Sequence, residues 1–109
     1  MALTLAETRQ NITVTDDLDA AKDADVIITD CWPANALETD RTTLLRQRID
    51  ATFLNTCRSD VLFIPCPPVT RGEEVTADAM QHPRCVATQA KEFLMHAQNA
   101  FVEQASTKR

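Results

Sequence analysis

The sequence predicts an α/β domain built on a short, largely parallel sheet, and three features support this fold class. Apolar, β-branched segments alternate along the chain with segments of helical periodicity. The segments Val26–Thr29, Val61–Pro65 and Cys85–Thr88 carry little polar alternation, which is typical of strands covered on both faces. The 109 residues are enough for one domain with one modest core. We therefore predict a single domain over residues 1–109 with a mostly parallel sheet of three to five short strands.

The elements of the first half follow from local residue types. Residues 2–10 favour a short helix, and the β-branched residues of the segment 12–15 suit a short strand. Asp16 and Asp17 indicate a helix start, because carboxylates accept hydrogen bonds from the free amides of a first turn. That helix would bury an apolar face within residues 18–24 and lead into the first buried strand.

The second half continues the alternation of helices and strands. Asp50 is a suitable helix N-cap, and Pro67-Pro68 stop the second buried strand because proline cannot donate to a ladder. The last helix would present an apolar side that includes Phe93 and Phe101, and a frayed tail is expected over residues 105–109. Helices are predicted over residues 38–47, 50–57, 76–81 and 89–104, with a very short strand over 47–49.

Composition argues against several classes of partner. The net charge of −5 lacks the clustered cationic face that a nucleic acid needs. The apolar runs are too short to cross a bilayer, so we expect no membrane contact. No basic stretch followed by an apolar run begins the sequence, so we expect no signal peptide and a cytoplasmic location with reduced thiols.

The residues that could carry cofactors are sparse. The four cysteines form no CxxC pair and have no zinc-site spacing with either histidine, so no metal is expected. The single glycine excludes the glycine-rich patterns that bind dinucleotides or triphosphates, so no cofactor is expected either. In parallel sheets, ligands bind at the carboxyl ends of strands. This rule selects two segments, Asp30–Asn35 and Cys66–Glu74.

Three motifs carry a resemblance to a known family. Pro65–Thr76 reads PCPPVTRGEEVT, Asp25–Trp32 reads DVIITDCW, and His96–Ala100 reads HAQNA. They resemble, in order and spacing, the HCLP…RGEEVT, DVIYTDVW and HAQKA segments of ornithine carbamoyltransferases. The resemblance extends from about Thr4 to Phe101 and implies the C-terminal part of the ornithine-binding domain. It therefore implies a partial Rossmann-like domain of three layers.

The resemblance assigns substrate contacts to four positions. Asp30 matches the aspartate that holds the side-chain amine of ornithine, although Asp30 could instead cap the next turn. Asn35 lies where the family has a Ser-Met-Gly loop, and its amide could still bond a ligand. Cys66 matches the cysteine between the two substrates and is the single catalytic candidate, with a small buried side chain as its alternative. Pro67 replaces a leucine whose carbonyl faces the carbamoyl group.

The resemblance gives four other residues a supporting role. Arg71, Glu73 and Glu74 match a loop that supports local structure, and we expect an internal Arg–Glu pairing there. His96 is expected to support packing or capping on the last helix.

Several features of the family are missing from the chain. The Ser-x-Arg-Thr-Arg and His-Pro-x-Gln motifs that bind carbamoyl phosphate are absent, and so is the arginine that precedes the last helix motif. The central strand of the family domain is also missing, which would leave unpaired backbone at a sheet edge. Ile12–Thr15 could pair directly with Val26–Thr29, or a second polypeptide or a second copy could cover the edge. We expect an intermolecular contact, with a homo-oligomer or a carbamoyl-phosphate-binding partner chain.

Two functions remain open at this point. The first is the amino-acid-binding portion of a carbamoyltransferase, which would contribute to carbamoyl transfer only with a missing domain or partner and be inactive alone. The alternative is a non-catalytic accessory or interaction subunit that binds a homologous chain or a small-molecule amino acid.

Overall fold

The computed structural model describes residues 11–107. The helix predicted over residues 2–10 and the last two residues of the predicted tail lie outside the described residues. The chain forms a 3-10 helix followed by a mixture of strands and α-helices. The elements in chain order are the 3-10 helix Leu18–Ala21, β1 Val26–Thr29, α1 Glu38–Arg46, α2 Ala51–Thr56, β2 Leu62–Pro65, α3 Ala77–Met80 and α4 Ala87–Thr107.

The two strands lie side by side and run parallel, which confirms the predicted α/β class with parallel pairing. The register runs from Val26 opposite Leu62 to Thr29 opposite Pro65. Parallel neighbours cannot be joined by a tight hairpin, so a crossover connection is required. Helices α1 and α2 form that crossover.

The expected three to five strands are not confirmed, because the sheet within the described residues has two strands. The third predicted strand is reduced to one parallel bridge between Phe63 and Cys85. At this bridge, Phe63 N donates a hydrogen bond to Arg84 O at 2.9 Å, and Val86 N donates one to Phe63 O at 2.9 Å. Because α4 already begins at Ala87, too few extended residues remain for a longer ladder.

The strand predicted over residues 12–15 does not form, and that prediction is wrong. The segment is assigned to neither strand nor helix. A β-branched composition favours extended backbone, but a strand exists only where a second backbone pairs with it. The very short strand predicted over 47–49 is likewise reduced to a parallel bridge between Ile49 and Val75.

The predicted helix starts are confirmed by their side-chain caps. Asp17 accepts a hydrogen bond from Asp19 N at 3.0 Å, although the helix it begins is a short 3-10 turn. Asp50 accepts one from Phe53 N at 2.7 Å. These carboxylates satisfy amides that would otherwise lack a partner in the first turn.

The core lies on one face of the sheet. Its buried members come from both strands, from α2 and α3, and from the segments beside them: Ile27, Ile49, Phe53, Leu54, Val61, Phe63, Val75 and Ala79. The opposite face is open, with Ile28 69% exposed and Val26 and Leu62 also exposed. The expectation of strands covered on both faces is therefore wrong for β1 within residues 11–107, because no described element packs over Ile28.

Helix α4 carries a second uncovered apolar surface. All its residues from Lys91 to Thr107 are exposed, including Phe93 at 71% and Phe101 at 72%. The apolar side predicted for this helix therefore exists as a pattern but is not packed. The helix also extends to Thr107, beyond its predicted end at residue 104. No helix among residues 11–107 is both long and apolar enough to span a membrane.

The one-sided core predicts very different effects for two identical substitutions. Phe63 is fully buried and Phe101 is 72% exposed. Phe63→Ala should lower the free energy of unfolding by about 3–5 kcal/mol or abolish cooperative unfolding, because it leaves a cavity. Phe101→Ala should change it by no more than about 0.5 kcal/mol. Urea denaturation followed by circular dichroism measures both, and a comparable loss for Phe101→Ala would show that α4 is packed in solution.

Candidate functional site

The carboxyl ends of β1 and β2 meet at one edge of the sheet. Asp30 follows β1 and Cys66 follows β2. Cys66 N donates to Thr29 O at 2.9 Å, so the parallel pairing continues one residue past β2. The pairing therefore brings the two segments selected from the sequence next to each other.

Asp30 is exposed, and its Oδ1 accepts a hydrogen bond from the amide of the next residue, Cys31 N, at 2.8 Å. The structure assigns no turn to residues 30–33, so the alternative role of Asp30 as a cap of the next turn is not met. Among residues 11–107, no lysine, arginine or histidine forms an ion pair with Asp30.

A small cavity opens beside Asp30, between the end of β1 and helix α1. Its volume is about 240 Å³, below the roughly 300–1,000 Å³ typical of pockets for drug-sized ligands. Its lining combines polar groups with apolar side chains: Thr29, Asp30, Cys31, Trp32, Pro33, Leu44, Gln47 and Glu74. A space of this size suits one end of a small ligand. Sequence reasoning did not single out Leu44 or Gln47 for a site, because only the packing of α1 against the strand end brings them there.

Glu74 lies in the wall of this cavity and is 5% exposed. Its Oε1 accepts a hydrogen bond from Thr70 N at 2.9 Å, which joins the two ends of the loop segment 70–74. Its Oε2 is buried and has no hydrogen-bond partner, and the same is true of Thr29 Oγ1. No lysine, arginine or histidine among residues 11–107 forms an ion pair with Glu74.

The cavity has an anionic character, because the carboxylates of Asp30 and Glu74 line it. The negative charge of Asp30 is the main cause that raises the pKa of the Cys31 thiol above its ordinary value. Partial desolvation and a hydrogen bond with Asp30 act in the same direction, and the charge of Glu74 adds to them. A thiol in such surroundings is a poor nucleophile at neutral pH. A cationic group is favoured there instead.

The loop that carries Glu74 is tied to α1. Glu73 Oε2 pairs with Arg41 Nη1 at 3.2 Å, and the Arg41 guanidinium lies 5.2 Å from the centre of the Trp32 ring. The Arg–Glu pairing expected within the loop does not form among residues 11–107, because Glu73 pairs with Arg41 of α1 and Arg71 contributes a backbone bridge with Val75. These contacts hold the loop and Trp32 on two sides of the cavity.

Gly72 allows the turn in this loop. Its φ of 95° lies in the left-handed region that glycine adopts without strain. Gly72 N donates to Val75 O at 2.8 Å, and Arg48 Nη1 donates to Gly72 O at 3.2 Å. The turn allows Glu74 to enter the core while Glu73 remains near the surface.

The other predicted site residues lie apart from the cavity lining. Cys66 is exposed, so its alternative role as a buried side chain is not met, and its thiol lies 3.8 Å from Pro67 O. The peptide bond between Pro67 and Pro68 is cis. Asn35 lines a separate cavity near the start of α1. His96 is exposed on α4 with Nε2 3.6 Å from Glu92 Oε1.

Three arginines around the core are engaged by acids or by a carbonyl group. Arg58 contacts Asp25 at 2.6 Å and Asp60 at 3.1 Å. Arg41 and Arg48 are held by the loop contacts described above. A phosphate site needs several cations that converge on one point, and these contacts direct the guanidinium groups elsewhere. Within residues 11–107, no group of three His, Cys, Asp or Glu residues is arranged to hold a metal.

Comparison with known proteins gives consistent matches. Residues 2–104 match the family model of the Asp/Orn binding domain of aspartate/ornithine carbamoyltransferase. The ornithine carbamoyltransferase of a Psychrobacter species is 36% identical over 97 residues, which are 84% of this chain and 32% of that protein. That of Corynebacterium diphtheriae is 34% identical over 101 residues, or 89% of this chain and 32% of that protein.

Solved structures agree with the sequence matches. The ornithine carbamoyltransferase of Burkholderia thailandensis superposes with a TM-score of 0.76 at 32% identity, covering 94% of this chain and 34% of that one. The ornithine carbamoyltransferase of Pyrococcus furiosus superposes with a TM-score of 0.69 at 35% identity, covering 78% of this chain and 28% of that one. The chain thus spans about a third of the length of the relatives it matches. The chain belongs to the aspartate/ornithine carbamoyltransferase family, and its residues 2–104 match the Asp/Orn binding domain of that family.

Proposed function

We propose that the chain is the amino-acid-binding portion of an ornithine carbamoyltransferase-like protein. The observation that carries the proposal is the anionic cavity at the strand ends, where Asp30 offers a carboxylate oxygen to a ligand. A carboxylate at this position can hold an ammonium group through a charge-assisted hydrogen bond. The relatives are named ornithine carbamoyltransferases, and ornithine carries such an ammonium on its side chain.

Carbamoyl transfer would require a second component. Carbamoyl phosphate is an anion. The negative charge on its phosphate group in the transition state needs preorganised positive groups to stabilise it. The arginines beside the candidate site are engaged by Glu73 and by the Gly72 carbonyl. We therefore assign the phosphate-binding groups to a missing domain or to a partner chain.

The uncovered surfaces support the need for such a component. The face of β1 that carries Ile28 and the length of α4 that carries Phe101 are both exposed. Apolar surfaces of this kind mark contacts with further polypeptide. A homo-oligomer or a carbamoyl-phosphate-binding partner would extend the two strands toward the three to five of a Rossmann-like three-layer domain.

Within the proposed site, Asp30 holds the amine and Cys66 with Pro67 faces the reacting groups. Asn35, which the resemblance assigns to the other end of the amino acid, lines a different cavity. That separation also favours the second candidate, a non-catalytic accessory subunit. The two candidates differ in whether a partner restores chemistry.

Ligand binding should depend on Asp30. Asp30→Asn keeps the local hydrogen bond to Cys31 N but removes the negative charge, so the affinity for ornithine should fall at least tenfold. Asp23→Asn is a matched control, because Asp23 is exposed and does not line the cavity. Isothermal titration calorimetry on the full chain measures both. Equal ornithine affinities for the two variants would show that Asp30 does not contribute to the binding site.

Catalysis should require a second chain. The isolated 109-residue chain should form no carbamoylated product from carbamoyl phosphate and ornithine. Addition of a polypeptide that carries the phosphate-binding motifs should produce citrulline, and Cys66→Ala should reduce that rate. Colorimetric citrulline detection measures both. Activity of the chain alone would refute the need for a partner, whereas a stable complex without activity would favour the accessory subunit.

The charge of Asp30 should be visible in the reactivity of Cys31. Asp30→Asn removes the main cause that raises the pKa of the thiol. A lower pKa means more thiolate at a given pH, so alkylation of Cys31 by iodoacetamide near pH 8 should become faster. Mass spectrometry of the modified peptide separates Cys31 from the exposed Cys66, which should react at an unchanged rate. An unchanged alkylation rate of Cys31 would show that the charge of Asp30 does not raise the pKa of the thiol.

A further inference from the structure

The buried oxygen of Glu74 is the feature of the site that loop support does not explain. Oε1 already supports the loop through Thr70 N, whereas Oε2 has no partner and less than 1 Å² of surface. A buried charged group without a partner is strongly unfavourable, so such groups are paired in most proteins. A neutral glutamine could make the same bond to Thr70 N. The loop therefore does not require the negative charge.

A second unpaired oxygen belongs to the wall of the same cavity. Thr29 Oγ1 is buried and has no hydrogen-bond partner. Both residues line the cavity that also contains Asp30. The coincidence of two unsatisfied groups at one cavity indicates a site arranged for a ligand that donates hydrogen bonds. The charge of Glu74 also reaches this cavity, since it contributes to the raised pKa of the Cys31 thiol.

We propose that Glu74 is a second anionic binding residue of the cavity and that, with Thr29, it helps Asp30 to hold a protonated alkyl amine. The inference rests on the proposed function and adds residues to which the family motif assigned only loop support or no role. An ammonium group has three donors and no acceptor. An ammonium therefore has enough donors for the Asp30 carboxylate and for the two buried oxygens, whereas a single hydrogen-bond donor could satisfy only one of them.

The remaining wall of the cavity suits the carbon chain of such an amine. Trp32 and Leu44 supply apolar surface, and Gln47 completes the rim. The volume of about 240 Å³ accommodates a short alkylammonium end. An anionic ligand is disfavoured by the two carboxylates. The site therefore selects a small primary amine with an unbranched chain.

The test compares two amino acids that differ only in the terminal amine. Ornithine carries it, and norvaline has the same carbon chain without it. We expect the full chain to bind ornithine more tightly than norvaline, and Glu74→Gln to reduce this preference roughly tenfold. Glu103→Gln is the matched control, because Glu103 is exposed on α4 and does not line the cavity. It should leave the preference unchanged, and calorimetric titration gives all the affinities.

The ratio of the two affinities separates binding from folding. A purely structural effect of Glu74→Gln would weaken both ligands equally and leave the ratio unchanged, which would overturn the proposal. If Glu74→Gln fails to fold in urea denaturation, Thr29→Val provides the test, since it removes the hydroxyl and keeps the shape. An unchanged ratio in Thr29→Val would then overturn the proposal, and a reduced ratio would support it.

Failure of this inference is distinguishable from failure of the proposed function. If the chain binds neither amino acid, the proposed function is wrong and the inference is lost with it. If ornithine binding depends on Asp30 but the preference is insensitive to Glu74, only the present inference is overturned. Equal binding of ornithine and norvaline by the unmodified chain would also overturn it.

Discussion

The parallel pairing of β1 with β2 is the constraint on which the candidate site depends. Two parallel strands need a long crossover, and here residues 30–61 supply it with helices α1 and α2. The crossover buries Phe53 and Leu54 against Phe63. It also brings both carboxyl strand ends to one edge, where Cys66 N bonds Thr29 O. The same pairing thus creates the core and aligns the two segments that carry the polar side chains.

The core covers only one face of the two-stranded sheet. The buried residues lie on the face of the sheet that α2 and α3 cover, whereas Ile28 lies on the open face. The apolar residues of helix α4, such as Phe93 and Phe101, are exposed to solvent. Both features fit a chain that matches about a third of its relatives' length. The hydrophobic surface that remains exposed is where further polypeptide would stabilise the fold.

Charge distribution determines which kind of ligand the cavity can hold. Carboxylates from Asp30 and Glu74 border a small cavity, while Arg41 is drawn into an ion pair with Glu73. The site therefore favours a cation and offers no convergent positive groups to an anion. An ammonium group and a phosphate group need surroundings of opposite charge.

The sequence by itself determined the two strands, the caps at Asp17 and Asp50, and the family, because each depends on residues close together along the chain. It could also place Asp30 at a strand end, since a strand followed by a polar residue is a local pattern. These properties need no knowledge of what lies across the sheet. The bounds of β1 accordingly agree with the prediction.

Only the tertiary structure decided which extended segments become strands and which acids become buried. Residues 12–15 have strand-forming side chains but lack a neighbouring backbone, and Cys85 retains a single bridge because α4 begins two residues later. Glu73 and Glu74 are the same residue type in adjacent positions, yet one pairs with Arg41 and the other is buried at the cavity. The turn at Gly72 and the packing of α1 distinguish them, and both depend on contacts between residues far apart in the chain.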